Sequence, residues 1–251
     1  MGDICILNFN HTYENQDFYK KKDYKIIDLY DLKNVSRYCD EKTLNIIRKK
    51  LYDIENYKIK FIDSGNYHYI SYLILEKIKK PFVLVLFDHH TDMQQPLMEG
   101  MMSCGDWAGM VLDQNPALQQ FILIGPAEDD IKQIRTKHLD KLITFSAEEI
   151  RKGEGVERLK RIHGGVPLYI SIDKDVLSEQ YSETNWNQGE LTLGMLEHML
   201  QYFLERAPVY GIDICGECST AIALPEYFQA EGVNGKTNVE LFRFLRSYCC
   251  S

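Results

Sequence analysis

The chain has 251 residues, of which 45% are hydrophobic and 26% charged, a composition typical of a globular domain with a sizeable core. Its formal net charge of −8 argues against nucleic acid or an anionic membrane as a partner, because both attract basic surfaces. No apolar run approaches the roughly 18 residues of a membrane span, and the first residues lack a basic-then-apolar signal pattern. We therefore expect a cytoplasmic protein.

Short apolar runs rich in β-branched residues recur along the chain and predict strands that are buried on both faces. Eight such runs occupy residues 4–9, 24–29, 58–63, 82–87, 121–125, 142–145, 167–173 and 208–214. Stretches with helical periodicity lie between many of them, at residues 41–54, 68–78, 127–139 and 191–207. Thr192 is a candidate N-cap of the last helix. Strands that alternate with helices, without a linker, predict one α/β domain over residues 1–251 with a mostly parallel sheet.

Acidic and imidazole side chains follow two of the predicted strands. They are Asp88, His90, Asp92, Asp173 and Asp175. Ligands of parallel sheets bind outside the carboxyl ends of the strands, and a spacing of two residues places side chains on the same side of a strand. Single acids at such positions often cap helices, but two clusters favour a metal site, because crowded buried carboxylates repel one another unless a cation offsets the cost.

The ligand types indicate which metal the site would bind. Mixed carboxylate and imidazole ligation suits Mn²⁺, with Zn²⁺, Fe²⁺ and Co²⁺ less favoured. The side chains outnumber the ligands that one ion needs, and carboxylates can bridge. We therefore expect two ions roughly 3.5–4 Å apart that generate hydroxide from a shared water.

Several motifs resemble those of one enzyme family. "DHHTD" (88–92) and "SIDKD" (171–175) resemble the D-x-H-x-D and S-x-D-x-D signatures of the arginase–agmatinase–formiminoglutamase (ureohydrolase) family. "SGNYHY" (64–69), "GELTLGMLEHML" (189–200) and "YGIDICGE" (210–217) resemble three further stretches of that family in the same order. The resemblance implies a three-layer α/β/α sandwich around a mostly parallel sheet of about eight strands.

The resemblance also implies a ligand set and a reaction. One manganese ion would be held by His68, Asp88, Asp92 and Asp173, and the other by Asp88, His90, Asp173 and Asp175. The implied chemistry is attack of a metal-bridging hydroxide on the carbon of a guanidinium or amidine group, which releases urea or a related amide. Glu217 would be the glutamate that pairs with the cationic group of the substrate.

The chain departs from the family pattern near the expected substrate. In "SCGDWAG" (103–109) Trp107 replaces the histidine that shuttles protons in arginases, and Trp186 lies in a loop that lacks the usual Asp-Pro. His11 and Asp106 are candidate proton carriers, although a surface histidine and a helix N-cap are equally simple interpretations. Gln94, Ser103, Trp107 and Trp186 are the candidate substrate-binding residues.

The predicted substrate carries a guanidino, formimino or other amidine-type group on a small molecule or a peptide, and an arginine within a peptide is one candidate. Two alternatives remain at this point. The first is a deacetylase-like amidohydrolase with a single zinc ion on the same fold, and the second is a relative that binds a metal or cation without turnover. The resemblance also makes a homo-oligomer an expectation.

Overall fold

The computed structural model describes residues 2–96, 98–219 and 224–249, and it contains ten strands and seven α-helices within those ranges. The strands are β1 (Gly2–Asn8), β2 (Tyr24–Asp28), β3 (Tyr38–Asp40), β4 (Tyr57–Phe61), β5 (Phe82–Phe87), β6 (Met101–Ser103), β7 (Leu118–Ile124), β8 (Leu142–Phe145), β9 (Leu168–Asp173) and β10 (Val209–Cys215). The helices are α1 (Glu41–Lys50), α2 (Ile70–Leu75), α3 (Trp107–Gln114), α4 (Glu128–Ile131), α5 (Ala147–Lys152), α6 (Leu193–Leu204) and α7 (Leu224–Cys249).

Eight of the strands form one parallel sheet in the order β2-β1-β4-β10-β9-β5-β7-β8. The eight apolar runs of the sequence each correspond to one of these strands, so the predicted arginase-like α/β fold is confirmed. The remaining strands, β3 and β6, pair in an antiparallel two-stranded ribbon. Tyr38 and Ser103 of that ribbon line the cavity described below.

The strand β5 shows why a parallel sheet needs continuous apolar runs. All six of its residues are buried, with Leu84 and Leu86 in one hydrophobic cluster and Val83 and Val85 in the cluster on the opposite face. Full burial of one such side chain contributes about 1.5–3 kcal/mol. Replacing one of these apolar side chains by a polar one would forgo that contribution to stability. Polar residues are therefore found after the end of the strand and not within it.

The helices differ from the prediction more than the strands do. Residues 127–139 were expected to form one helix, but α4 covers only Glu128–Ile131. The Thr136 hydroxyl donates to the Asp113 carboxylate at 2.6 Å and accepts from the His138 amide at 3.0 Å. Such local side-chain bonds compete with helix formation.

Three helices, α3, α5 and α7, lie outside the four predicted helical stretches, although one of them has a clear sequence signal. The helix α5 begins with a capping box between Ser146 and Glu149.

The Thr192 side chain accepts from the Met195 amide at 3.2 Å, which confirms the predicted N-cap of α6. Among the described helices, none combines the length and apolar character that crossing a membrane requires.

Candidate metal centre and substrate cavity

The carboxyl ends of β5 and β9 lie side by side. These strands are neighbours in register, with Phe87 opposite Ile172. The residues that follow, Asp88 and Asp173, are therefore brought together, and both are almost fully buried. The sheet thus joins two acidic segments that are about eighty residues apart in sequence.

The first cluster surrounds the ring of His68, which follows a 3₁₀ turn at Gly65–Tyr67. The His68 Nδ1 atom lies 3.3 Å from Asp88 Oδ2, 3.2 Å from Asp92 Oδ2 and 3.4 Å from Asp173 Oδ2. Neither His68 Nδ1 nor Asp88 Oδ2 has a hydrogen-bond partner among the described residues, although both are buried. Buried polar atoms without such a partner, converging on one point, are what a metal ion would satisfy.

The second cluster shares Asp88 with the first. His90 Nδ1 lies 2.8 Å from Asp175 Oδ2 and 3.6 Å from Asp88 Oδ1. In each cluster, three potential ligand atoms lie within 4.8 Å of one another. The first set is His68, Asp88 and Asp92, and the second is Asp88, His90 and Asp175. The donor set therefore fits divalent metal ions, and Asp88 belongs to both groups of potential ligands.

The pKa values of these groups reflect an excess of negative charge. Burial, followed by the repulsion of Asp88, raises the pKa of Asp92 to about 7. Burial and the nearby Asp173 and Asp88 carboxylates raise the pKa of Asp175 well above its usual range. Burial alone would lower the pKa of His90, but Asp175 and Asp88 outweigh it and raise that pKa to about 11. Asp92, Asp175 and His90 therefore tend to keep their protons, and a bound metal cation would replace those protons.

A chain of hydrogen bonds orients the His68 ring. His68 Nε2 lies 2.9 Å from the Ser171 hydroxyl, which donates to Asp213 Oδ1 at 2.6 Å, while the Tyr169 hydroxyl donates to Asp213 Oδ2 at 2.7 Å. Because the Ser171 proton is used on Asp213, His68 Nε2 has to be the donor to Ser171. Burial alone would lower the pKa of His68, but Cys215 and the surrounding carboxylates raise it well above its usual range. With Nε2 committed to Ser171, Nδ1 is the ring atom that a metal ion would take over from its proton.

Trp107 supports Asp92 from the core, which corrects the expectation that it lines the substrate cavity. Its side chain is fully buried, and its Nε1 donates to Asp92 Oδ2 at 2.6 Å. Its ring centre lies 4.7 Å from that of His68. Asp92 itself adopts a left-handed φ of 50°, and its carbonyl oxygen accepts from the amides of Ala108 and Gly109 at the start of α3. Backbone and indole together hold the Asp92 carboxylate.

Glu217 does not face the cavity, which corrects the expectation that it pairs with the substrate. It is almost fully buried and forms an ion pair with the fully buried Lys174. Asn238 Nδ2 donates to its Oε1 at 2.7 Å, and Gln16 Nε2 donates to its Oε2 at 3.2 Å. Both carboxylate oxygens are thus occupied by groups of the protein, and α7 is tied to the sheet through Asn238.

Neither predicted proton carrier faces the metal ligands. His11 Nδ1 lies 2.6 Å from Glu14 Oε1, and its ring contacts Tyr30 at a centroid distance of 4.1 Å. Asp106 precedes α3, but its Oδ1 accepts from the Ser103 amide at 2.8 Å instead of capping the helix. Asp106 therefore shapes the loop that carries Ser103.

A cavity of about 220 Å³ opens onto the acidic cluster. The predicted residues Gln94, Ser103 and Trp186 line it, together with Asp88, His90, Asp92, Asp173 and Asp175. The Trp186 ring lies 5.6 Å from the His90 ring and forms one wall. The structure thus brings three of the four predicted substrate-binding residues to the cavity.

Several residues of the site were missed by the sequence analysis. Arg37 and Tyr38 also line the cavity, and their positions near the ribbon of β3 and β6 had no sequence signal. The Cys215 Sγ donates to Asp173 Oδ2 at 3.0 Å, and Cys215 forms a further potential metal-binding group with His68 and Asp173. Lys174 did carry a signal, because a lysine between two buried acids requires a carboxylate partner.

The sequence of the chain is similar to a family model and to a protein of another organism. A model described as "Arginase family" matches residues 5–219. An uncharacterized protein of Thermotoga maritima is 29% identical over 231 residues, which cover 85% of this chain and 79% of that protein.

Two solved structures show the similarity of the fold. Formiminoglutamase of Trypanosoma cruzi, solved with Mn²⁺, has a TM-score of 0.65 at 13% identity, with coverage of 97% of this chain and 92% of that chain. Proclavaminate amidino hydrolase of Streptomyces clavuligerus has a TM-score of 0.65 at 13% identity, with coverage of 98% and 93% respectively.

Proposed function

The chain belongs to the arginase family, and from this premise we propose that it hydrolyses a C–N bond of an amidino or guanidino substrate with the help of two Mn²⁺ ions. Family membership supports metal-dependent hydrolysis of such groups as the general kind of activity. The observation that carries the finer proposal is the pair of potential metal-binding groups that share Asp88. Nine-tenths or more of each Asp in them is buried from solvent.

The proposed ligands divide into two overlapping sets, as the sequence motifs imply. His68, Asp88, Asp92 and Asp173 would hold one ion, and Asp88, His90, Asp173 and Asp175 the other. Bound divalent ions supply an acidified water at neutral pH and stabilise negative charge that develops in the reaction. The distances between His68 Nδ1 and three carboxylates, all between 3.2 and 3.4 Å, support the first set.

The residues of the chain would bind and orient the substrate around this centre. Trp186 supplies an apolar wall beside His90. Gln94 and Ser103 offer polar groups on the opposite loop, whose backbone is tied by a bond from the Gln94 amide to the Gly105 carbonyl at 2.9 Å. Since Glu217 is paired with Lys174, the cationic group of the substrate would face the four carboxylates of the cluster instead.

The size of the cavity bears on the substrate. Its volume of about 220 Å³ is below the roughly 300–1,000 Å³ of pockets that enclose drug-sized ligands. This favours a small molecule over a long peptide, of which only one side chain would enter. The cytoplasmic location and a homo-oligomeric state stay predictions from the sequence.

Metal analysis and product release together test the proposal. We expect the Mn²⁺-reconstituted protein to hold about two ions per chain, and the Asp88→Asn/Asp173→Asn double variant to hold neither. Asp129→Asn is the control, since the Asp129 side chain is 89% exposed and lies outside the cavity. Full metal content in the double variant would overturn the ligand assignment.

Activity is measured as release of urea, formamide or ammonia from a panel of guanidino, amidino and formimino compounds. The double variant should lose at least about 1,000-fold in rate, or about 4 kcal/mol of transition-state stabilisation. Acetate release with one bound Zn²⁺ would instead indicate the deacetylase-like alternative. Two bound ions without turnover of any panel member would indicate a binding protein.

A further inference from the structure

The substrate cavity contains one positively charged side chain that the metal chemistry does not use. Among the residues that line the cavity, Arg37 is the only arginine or lysine, whereas four aspartates lie at the base. Arg37 is exposed and forms no ion pair with any described residue. A cation beside an acidic cluster would weaken the binding of a cationic substrate unless it also recognises an anionic part of it.

The backbone of Arg37 is held in place on both sides. Its amide donates to the Asn66 carbonyl at 3.0 Å, and its carbonyl accepts from the Cys104 amide at 2.9 Å. Its φ is 67°, a left-handed conformation that costs an arginine roughly 1–2 kcal/mol. Backbone strain of this kind persists where the surrounding structure enforces it, and it is concentrated at binding sites.

The guanidinium group of Arg37 is also positioned, by Trp186. Its Cζ lies 4.8 Å from the centre of the Trp186 ring. The Trp186 Nε1 donates to Asn66 Oδ1 at 3.1 Å, and Asn66 Nδ2 donates to the Ser36 hydroxyl at 3.2 Å. Asn66 therefore fixes both the arginine backbone and the ring on which the guanidinium stacks. Stacking leaves the planar edge of the guanidinium free for a second partner.

We propose that the Arg37 guanidinium, stacked on Trp186, binds a carboxylate at the end of the substrate opposite to the reacting group. The inference rests on the proposed function and names its substrate class, a small amidino, guanidino or formimino acid. Its cationic group would lie against the aspartates, and its carboxylate would pair with Arg37 through two N–H donors, the arrangement that arginine makes best. A substrate that ends in a second ammonium group would be repelled at the same position.

Two matched probes test the charge preference. The compounds 4-guanidinobutanoate and 4-guanidinobutylamine place a carboxylate or an ammonium group at the same position of a similar chain. Binding is measured by calorimetry with Mn²⁺-loaded and with metal-free protein, and guanidine hydrolysis by urea release. We expect the acid to bind about tenfold or more tightly than the amine, as a charge-assisted pair requires.

Variants assign the preference to Arg37. The Arg37→Glu variant should reverse the preference, and Arg37→Gln should abolish it. Lys33→Glu makes the same change of charge nearby, outside the cavity, and should retain the preference. Retention of the wild-type preference in Arg37→Glu, equal binding of the two probes, or binding of neither would overturn the inference.

The two proposals fail in distinguishable ways. If the acid binds preferentially and through Arg37 but no panel member is hydrolysed, the catalytic proposal fails while the carboxylate site stands. If the amine is hydrolysed faster than the acid, the hydrolase proposal stands and the carboxylate site is overturned.

Discussion

Two buried acidic regions at the carboxyl edge of the sheet solve the same electrostatic problem differently. Glu217 is neutralised within the protein by Lys174 and accepts hydrogen bonds from Asn238 and Gln16. We call these four residues the internal network. The acidic cluster at the ends of β5 and β9 instead has four aspartates against the imidazoles of His68 and His90.

The difference separates a structural role from a functional one. A buried carboxylate with its own cation and full hydrogen bonding needs nothing from outside the chain. A buried cluster in which burial and mutual repulsion raise the pKa values of Asp92 and Asp175 is costly to leave without a cation. Sequence position does not make the distinction, because Lys174 of the internal network lies directly between Asp173 and Asp175 of the cluster.

The largest expected effect is on the internal network. Replacing Lys174 by Met leaves Glu217 buried without a cation, and should lower the free energy of unfolding by about 3–5 kcal/mol. Urea unfolding of the metal-free protein measures this change in the free energy of unfolding. Lys132→Met is the control, since the Lys132 side chain is 62% exposed, and should change stability by less than about 0.5 kcal/mol. The Lys174→Met/Glu217→Met double variant should recover most of the loss, and a double variant as unstable as the single would argue against a self-contained ion pair.

The acidic cluster should respond to metal instead. Mn²⁺ at about 100 times its dissociation constant should raise the free energy of unfolding by about 2.7 kcal/mol. Asp92→Asn should lose most of this gain, yet metal-free Asp92→Asn should be at least as stable as wild type at pH 8. Because the pKa of Asp92 is raised from 3.8 to about 7 by folding, stability falls as the pH rises through that interval, and the full cost of ionising Asp92 is present at pH 8. A metal-free variant that is markedly less stable at pH 8 would contradict this interpretation.

Trp107 connects the cluster to the core, and its removal should have an intermediate effect. Trp107→Phe keeps an aromatic ring beside His68 but loses the 2.6 Å hydrogen bond to Asp92. Groups that orient metal ligands typically contribute 10–100-fold to metal affinity. Calorimetry with Mn²⁺ should show a loss in that range, while Trp186→Phe should bind Mn²⁺ as wild type does. Equal Mn²⁺ affinity of Trp107→Phe and wild type would show that the Trp107 hydrogen bond does not contribute to metal binding.

The smallest expected difference between a variant and the wild type is in the slope of Mn²⁺ affinity against pH. The ion displaces protons held by His90, whose pKa is about 11, and by Asp92, whose pKa is about 7. Affinity should therefore rise with pH, by about tenfold per pH unit for each proton released. Below a pH of about 7, the Asp92→Asn variant should release one proton fewer on binding Mn²⁺. The slope of its Mn²⁺ affinity against pH should be shallower accordingly. An affinity independent of pH between about 6 and 8 would be inconsistent with the described charge balance.

The sequence by itself determined the sheet and much of the cluster. Buried parallel strands require continuous apolar runs, so the eight strands of the main sheet could be located from short runs rich in β-branched residues. Polar residues at the ends of those runs, at intervals of two, identified Asp88, His90, Asp92, Asp173 and Asp175 as candidates that share an edge. His68 could be included only through the family resemblance, because its ring reaches the cluster from a turn after another strand.

The tertiary structure alone decided what surrounds these acids. Glu217 and Trp107 have the residue types expected of substrate contacts, but their neighbours make one an internal ion pair and the other a buried hydrogen-bond donor. Arg37 reaches the cavity from a segment without a recognisable motif. The location of the strands follows from local patterns of hydrophobicity, whereas strand order, register and the partner of a polar side chain depend on segments far apart in the chain. The physical reason is that burial, not residue type, sets whether a charge needs a partner and which partner is near enough to supply it.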